Sequence, residues 1–162
     1  MITGNGADIG MTSLAEDCGL VLAWLQTRTG ADRLDCLRVE KLSGGAIQEN
    51  WLLQLQITGG SHDGHQSWVL RTDAASRVAV SNSRSNEFRL LQAAFLQGVT
   101  VPEPLYFCSD NAVLGQPFFI MTGMPGQAQA RKIVRNPGLA EQGPELVAQL
   151  GHIMAKLHSI TP

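Results

Sequence analysis

The hydrophobic residues of this chain change their spacing from helical to alternating and back, and that order constrains the fold more than any other feature. A first helical stripe lies near the N-terminus and consists of Leu14, Cys18, Val21, Leu22 and Leu25. Ser13 and Glu16 form a capping box before the stripe, and Gly30 is a natural stop after it. The pattern therefore predicts an amphipathic helix over residues 13–29.

Strand patterns follow this helix. Residues 37–41 are a short strand candidate, and apolar residues alternate with glutamines over residues 53–57, which is typical of a half-buried strand. A polar, turn-rich segment at residues 59–66 joins that strand to a third one at residues 68–72. These two strands are therefore expected to form a hairpin.

Helical spacing returns at residues 84–97 and is carried by Phe88, Leu91, Ala94 and Phe95. Two more strands are predicted at residues 105–108 and 117–121, followed by a glycine-containing break at residues 122–126. A last helix begins at Pro144, and its apolar stripe consists of Leu146, Leu150, Ile153, Met154 and Leu157. This order predicts an α+β domain in which a helix packs on a five-stranded, mostly antiparallel sheet.

The composition suits a protein with a hydrophobic core and no nucleic-acid footprint. Of the 162 residues, 44% are hydrophobic and 16% are charged, and the net charge is −2. A nucleic-acid-binding face needs clustered positive charge, whereas the cations here are scattered. We expect these cations to be solvated: Arg77, Arg84, Arg131, Lys132 and Arg135.

Three further features bear on location and on metal sites. The apolar run at residues 19–25 is too short to span a bilayer, so no membrane association is expected. The three cysteines have no CxxC spacing and are interpreted as small core residues in a reducing compartment, which predicts a cytoplasmic protein. His62 and His65 have no further ligands in a rigid frame, so no metal site is predicted.

A permanent charge ends the third strand at Arg71. Because side chains alternate across a strand, Arg71 shares a face with Val69. Glu87 lies at the margin of the apolar stripe of the following helix, so it approaches Arg71 if that helix packs on the strand. A guanidinium and a carboxylate can then form two parallel hydrogen bonds. The alternative is that the strand ends at the surface and Arg71 makes an ordinary surface pair.

Five segments carry a resemblance to a known family: LSGGAIQENW at 42–51, WVLRTD at 68–73, SNEFRLLQAA at 85–94, GVTVPEPLYFCSDNAVLGQPFFIMTGMPG at 98–126 and LGHIMAKLH at 150–158. From about residue 36 to its end, the sequence resembles the aminoglycoside phosphotransferase family of small-molecule kinases. The resemblance implies a protein kinase-like N-lobe followed by the first helix of a C-lobe. The implied divisions are an N-terminal extension and helix (1–35), the N-lobe (36–122), and a linker with the start of a truncated C-lobe (123–162).

The resemblance also implies a nucleotide site that binds ATP or GTP. Arg71, in place of the usual lysine, would position phosphates and pair with Glu87. Gly44 and Gly45 would cover the phosphates, although two adjacent glycines are also an ordinary hairpin turn.

The base would lie between three implied contacts. Val69 would form an apolar roof, Met121 would border the adenine pocket, and the linker at Gly123 would bind adenine through its backbone. Each of these three residues is equally compatible with a role in the core or in a linker.

The catalytic segments of the family, H-G-D-x-x-x-x-N and a later D-x-[DE], do not occur in these residues. No catalytic residue is therefore assigned, Mg²⁺ ligands are expected in the rest of the C-lobe, and the chain is expected to be a fragment or a truncated product. The complete protein would transfer the γ-phosphoryl group to a small-molecule hydroxyl; the alternative is a non-catalytic kinase-like binding or regulatory module. Without the rest of the C-lobe, the last helix is expected to self-associate or to be disordered.

Overall fold

The computed structural model describes residues 14, 18–42, 48–74, 82–126 and 130–160. The elements are α1 (Gly19–Thr29), β1 (Arg33–Lys41), β2 (Gln48–Thr58), β3 (Gly64–Asp73), α2 (Arg84–Leu96), β4 (Pro104–Cys108), α3 (Asn111–Leu114), β5 (Phe118–Thr122), α4 (Ala130–Val134), α5 (Pro137–Glu141) and α6 (Gly143–His158). The strands form one antiparallel sheet of order β1-β2-β3-β5-β4. The predicted α+β fold with a five-stranded sheet is confirmed.

One face of the sheet carries the main hydrophobic core, which α1 covers. Trp68 and Leu70 of β3 and Phe118 and Ile120 of β5 point into it and are almost completely buried. Edge-to-face contacts between Trp24 of α1 and Phe118, with ring centroids 5.1 Å apart, hold the helix on this face.

The opposite face of the sheet is covered by α2. Phe88 of α2 packs between Phe107 of β4 and Phe119 of β5, with ring centroids 5.8 and 5.7 Å apart. Val69 and Arg71 of β3 lie on this same face because side chains alternate along the strand. The sheet therefore separates an α1 layer from an α2 layer. Of the residues predicted to bind nucleotide, Val69, Arg71 and Met121 lie on the α2 side.

The first helix is shorter than the sequence predicts. It begins at Gly19 rather than residue 13, since Cys18 has the non-helical angles φ −102° and ψ 6°. Ser13 and Glu16, the predicted capping box, lie outside the described residues. The predicted stop is confirmed, because Gly30 adopts the left-handed conformation at φ 65° and reverses the chain.

Several boundaries differ because tertiary contacts extend or replace the local pattern. β1 begins at Arg33, four residues before the predicted Leu37, since the N–H of Asp32 already donates to the carbonyl of Thr58 at 2.9 Å. β3 likewise begins at Gly64, inside the segment predicted as a turn. Between the fourth and fifth predicted strands, Asp110 caps the short helix α3 by accepting the N–H of Ala112.

Two expectations about α2 are wrong. Arg84 was expected to be solvated, but its side chain is 1% exposed and lies among acidic partners. Phe95 was assigned to the apolar stripe, but it is 39% exposed because the helix turns its Phe88 side to the sheet. The expectation for Arg131, Lys132 and Arg135 is confirmed, as all three are exposed, and Arg77 lies outside the described residues.

The last helix, α6, begins at Gly143, one residue before the predicted start, and none of its described residues is buried. Leu150 is 61% exposed. Among the described residues, one hydrogen bond ties this helix back to the end of α2: the Lys156 ammonium donates to the Gly98 carbonyl at 2.9 Å. Across the described residues, no helix is long and apolar enough to cross a membrane.

Candidate functional site

Arg71 lies at the centre of the sheet, between Asn50 of β2 and Phe119 of β5. Its Nη2 is 2.6 Å from Oε1 of Glu87, and both side chains are 25% exposed. The predicted ion pair between β3 and α2 is therefore confirmed, and the alternative of an ordinary surface pair is wrong. Because the pair is largely shielded from water, it is screened less by salt than a surface pair would be.

One donor of the Arg71 guanidinium has no acceptor among the described residues. Its Nη2 also donates to Oε1 of Gln48, while its buried Nε has no hydrogen-bond acceptor among the described residues. Burial lowers the pKa of Arg71, and Glu87 opposes that change. An arginine nevertheless stays charged in proteins. The charged side chain of Arg71 thus lies at the wall of a cavity, while its Nε is enclosed by protein.

Arg84 belongs to the same network, although the sequence reasoning missed it. Its Nε is 3.0 Å from Oδ1 of Asp73, its Nη1 contacts Oε2 of Glu87, and its Nη2 donates to the carbonyl of Asn82 at 3.2 Å. The sequence did contain one sign of this contact: Arg84 and Glu87 are three residues apart, and residues at that spacing are neighbours on a helix. Asp73, at the end of β3, could not be placed beside them from its position in the sequence alone.

A cavity of about 320 Å³ opens beside the ion pair. It is lined by Arg71, Glu87, Leu90, Leu91, Ala94, Pro102, Phe119 and Met121. This combination of an apolar wall with a few convergent polar groups is typical of small-molecule sites, and the volume lies at the lower end of their range. Met121 is therefore brought together with Arg71 and Glu87.

The other predicted site residues lie nearby. Val69 is the register partner of Met121 and is buried, but it does not line the cavity. Gly123 follows β5, and its N–H donates to the carbonyl of Ser67 at 2.7 Å. A Cβ at Gly123 would lie 2.8 Å from that same oxygen, so only glycine allows this approach. Gly44 and Gly45 lie outside the described residues.

The donors fit one of the two expected cofactors. The positive charge of Arg71 at the wall of the cavity fits a phosphate and its attached group, since a guanidinium attracts phosphate oxygens. For Mg²⁺ the described residues do not fit, because they contain no cluster of three or more histidines, cysteines or carboxylates that could hold a metal ion.

Comparison with known proteins relates the chain to phosphotransferases. The family model described as the phosphotransferase enzyme family matches residues 38–162. Acyl-CoA dehydrogenase family member 11 from Homo sapiens is 28% identical over 132 residues, which are 81% of this chain and 16% of that protein. The Gallus gallus protein of the same name is 31% identical over 127 residues, 76% of this chain and 15% of that protein.

A solved structure is also similar. A putative aminoglycoside phosphotransferase from Ralstonia eutropha JMP134 has 23% sequence identity and a TM-score of 0.47, covering 70% of this chain and 29% of its own. The chain thus spans about 16% of the length of the curated relatives that it matches.

Proposed function

Because the chain belongs to the phosphotransferase enzyme family, we propose that it forms the nucleotide-binding part of an enzyme that transfers the γ-phosphoryl group of ATP or GTP to a hydroxyl group of a small molecule. The observation that carries the proposal is the contact between Arg71 and Glu87 beside a cavity. This contact joins a cation on the central strand to the helix that follows the strand. Kinase-like enzymes use the same arrangement to hold phosphates.

In this proposal, Arg71 binds phosphate oxygens and Glu87 fixes the direction of its guanidinium. Phosphoryl transfer depends mainly on positioning and on stabilisation of negative charge, so a rigid cation contributes more than a mobile one. Glu87 and Gln48 restrict the guanidinium through Nη2, and the side chain, 25% exposed at the wall of the cavity, offers its positive charge to the ligand. Gly44 and Gly45 would cover the phosphates through their backbone N–H groups.

The base would lie against Val69 and Met121, near the segment that follows β5. The N–H groups of Thr122 and Gly123 already donate to the carbonyls of Glu103 and Ser67. Met124 is the next residue, and its N–H has no backbone acceptor among the described residues. We therefore assign the N–H of Met124 to the base, while Gly123 contributes by allowing the chain to pass close to Ser67.

The test is a calorimetric titration with ATP and with GTP, each with and without Mg²⁺. Arg71→Ala is expected to weaken binding about tenfold or more, because a hydrogen bond to a charged group contributes roughly 1.5–3 kcal/mol. Arg38→Ala is the matched control, since Arg38 is also a strand arginine paired with a carboxylate, Glu40, but is 66% exposed on the edge strand. Equal affinities for the wild type and Arg71→Ala would contradict the proposal.

Turnover separates binding from catalysis. No segment of these residues matches the H-G-D-x-x-x-x-N loop, so this chain is expected to bind nucleotide without transferring phosphate. Phosphoryl transfer to any hydroxyl compound by the chain alone would contradict that expectation.

A second candidate function is a non-catalytic kinase-like module that binds or regulates another component. The observation in its favour is that Nη2 of Arg71 already contacts two protein acceptors, Gln48 and Glu87, as a purely structural arginine would. It predicts that Arg71→Ala lowers the melting temperature while neither form binds nucleotide. The same titration, together with a thermal melt of each variant, distinguishes the two functions.

A further inference from the structure

Two of the three cysteines lie at neighbouring positions on the side of the sheet opposite Arg71. Cys18 directly precedes α1, and Cys36 lies in β1, the strand against which α1 packs. The helix carries the chain about 18 Å from Cys18 to Gly30, and the extended chain returns about 20 Å from Gly30 to Cys36. Since Gly30 reverses the direction, the two cysteines lie at the same level.

Both side chains point toward the core between α1 and the sheet. Cys36 shares a strand face with the buried Leu34, two residues earlier, and Cys18 shares a helix face with the buried Leu25, seven residues later. Both cysteines pack against the same hydrophobic core and stay partly exposed. The Cys36 thiol donates to the carbonyl of Arg38 at 3.5 Å, and Cys18 lies near enough to raise the pKa of Cys36.

We propose that Cys18 and Cys36 are a reactive dithiol that low-molecular-weight disulfides convert into an intramolecular disulfide. The thiolate of Cys18 attacks one sulfur of the reagent, forming a mixed disulfide and releasing one thiolate of the reagent. Cys36 then loses its proton and attacks the sulfur of Cys18, releasing the second thiolate. The protein loses two protons and two electrons, and the reagent is reduced to two thiols.

The order of attack follows from the environment of Cys36. Burial raises the pKa of Cys36, and the nearby Cys18 raises it further. Cys36 is therefore a weaker nucleophile than a fully exposed cysteine would be, and we assign the first attack to Cys18. Once Cys18 carries the mixed disulfide, proximity favours Cys36 over any thiol in solution.

Cys108 provides an internal comparison. It is 2% exposed, and its thiol contacts the carbonyl of Asp110. It lies in β4, at the edge of the sheet opposite β1. Cys108 is therefore expected to remain a thiol under conditions that oxidise the pair.

The experiment exposes the folded chain to excess oxidised glutathione, blocks the remaining thiols with N-ethylmaleimide and digests the protein with trypsin without reduction. Trypsin cuts after Arg28, Arg33 and Arg38, so the disulfide would join the peptide ending at Arg28 to the peptide of residues 34–38. We expect that linked peptide in mass spectrometry, with maleimide on Cys108. The melting temperature of the oxidised chain should exceed that of the reduced chain, because the bond restricts the unfolded state.

Three variants complete the test. Cys36→Ser should stop at a glutathione mixed disulfide on Cys18, and Cys18→Ser should leave Cys36 as a thiol. Cys108→Ser should form the linked peptide as the wild type does. Maleimide on both Cys18 and Cys36 of the treated wild type, a lasting mixed disulfide on it, or cross-linking between two chains would each overturn the proposal.

Discussion

Arg71 and Arg84 contact the two oxygens of one carboxylate, that of Glu87. Nη2 of Arg71 is 2.6 Å from Oε1, and Nη1 of Arg84 contacts Oε2. Asp73 adds a second carboxylate, 3.0 Å from Nε of Arg84, so the charges of the four side chains cancel. Arg84 therefore holds Glu87 from the side away from Arg71, which makes it a positioning residue for the proposed phosphate contact.

Replacing Arg84 with methionine is expected to lower the free energy of unfolding by about 3 kcal/mol or more. The change keeps an apolar stem of similar length but leaves the carboxylates of Asp73 and Glu87 without their shared cation, and breaking a buried pair is costly. Chemical denaturation measures the effect. Arg89→Met is the matched control, because Arg89 is exposed on the same helix, and it should change stability by no more than about 0.5 kcal/mol.

A double-mutant cycle tests whether Arg84 acts through Glu87. Arg84→Met, Glu87→Gln and the double variant are compared by chemical denaturation. Since the two side chains are in contact, the loss in the double variant should fall short of the sum of the single losses by about 1–3 kcal/mol. Additive losses would show that Arg84 stabilises the fold without positioning Glu87.

The pairing of Arg71 with Glu87 could be predicted because it depends on two local periods. Alternation along β3 fixes the face of Arg71, and the apolar stripe of α2, with Phe88 at its centre, fixes the side of the helix that meets the sheet. Glu87, next to Phe88, must then lie at the edge of the contact between α2 and the sheet. Beyond these two periods, the prediction needed only that α2 packs on this face of the sheet, which it does against β4 and β5.

The burial of Arg84 could not be predicted in the same way. A charged residue in the first turn of a helix is usually solvated, and its burial here depends on Asp73 arriving from the end of β3. The early start of β1 has a similar origin, because the hydrogen bond from Asp32 to Thr58 joins residues that are distant in sequence. Local sequence patterns do not indicate such long-range contacts.

Two phenylalanines on α2 are expected to differ sharply in their contribution to stability. Phe88 is 9% exposed and packs against Phe107 and Phe119, so Phe88→Ala should cost about 3–5 kcal/mol. Phe95 is 39% exposed, so Phe95→Ala on the same helix should cost about 1 kcal/mol or less. Urea titrations of both variants measure the difference, and equal losses would show that α2 does not dock through its Phe88 face.

The exposed face of α6 is expected to drive self-association at high concentration. Its exposed apolar residues are Leu146, Val147, Leu150, Met154 and Leu157. Sedimentation velocity over a range of concentrations should show oligomers of the wild type, and Leu150→Glu should reduce them because it introduces a charge into the apolar face. Ala148→Glu adds the same charge on the other side of the helix and should leave association unchanged. A wild type that stays monomeric throughout would rule this association out.

The turn at Gly60 holds the β2–β3 hairpin against the end of α1, and a methyl group there is expected to separate them. Gly60 has φ 73°, and a Cβ at this position would contact the carbonyl oxygen of Thr29 and lie 2.8 Å from the carbonyl carbon of Gly30. These are backbone atoms, so the clash cannot be relieved by turning a side chain. Gly115 is the matched control, because its φ is 75° and a Cβ there would meet nothing within 4 Å. Both alanine variants pay about 1–2 kcal/mol for the left-handed conformation. In chemical denaturation, the free energy of unfolding should therefore fall by roughly 1–3 kcal/mol more for Gly60→Ala than for Gly115→Ala, which is the usual cost of overpacking. Equal losses would contradict the close packing of this turn on α1.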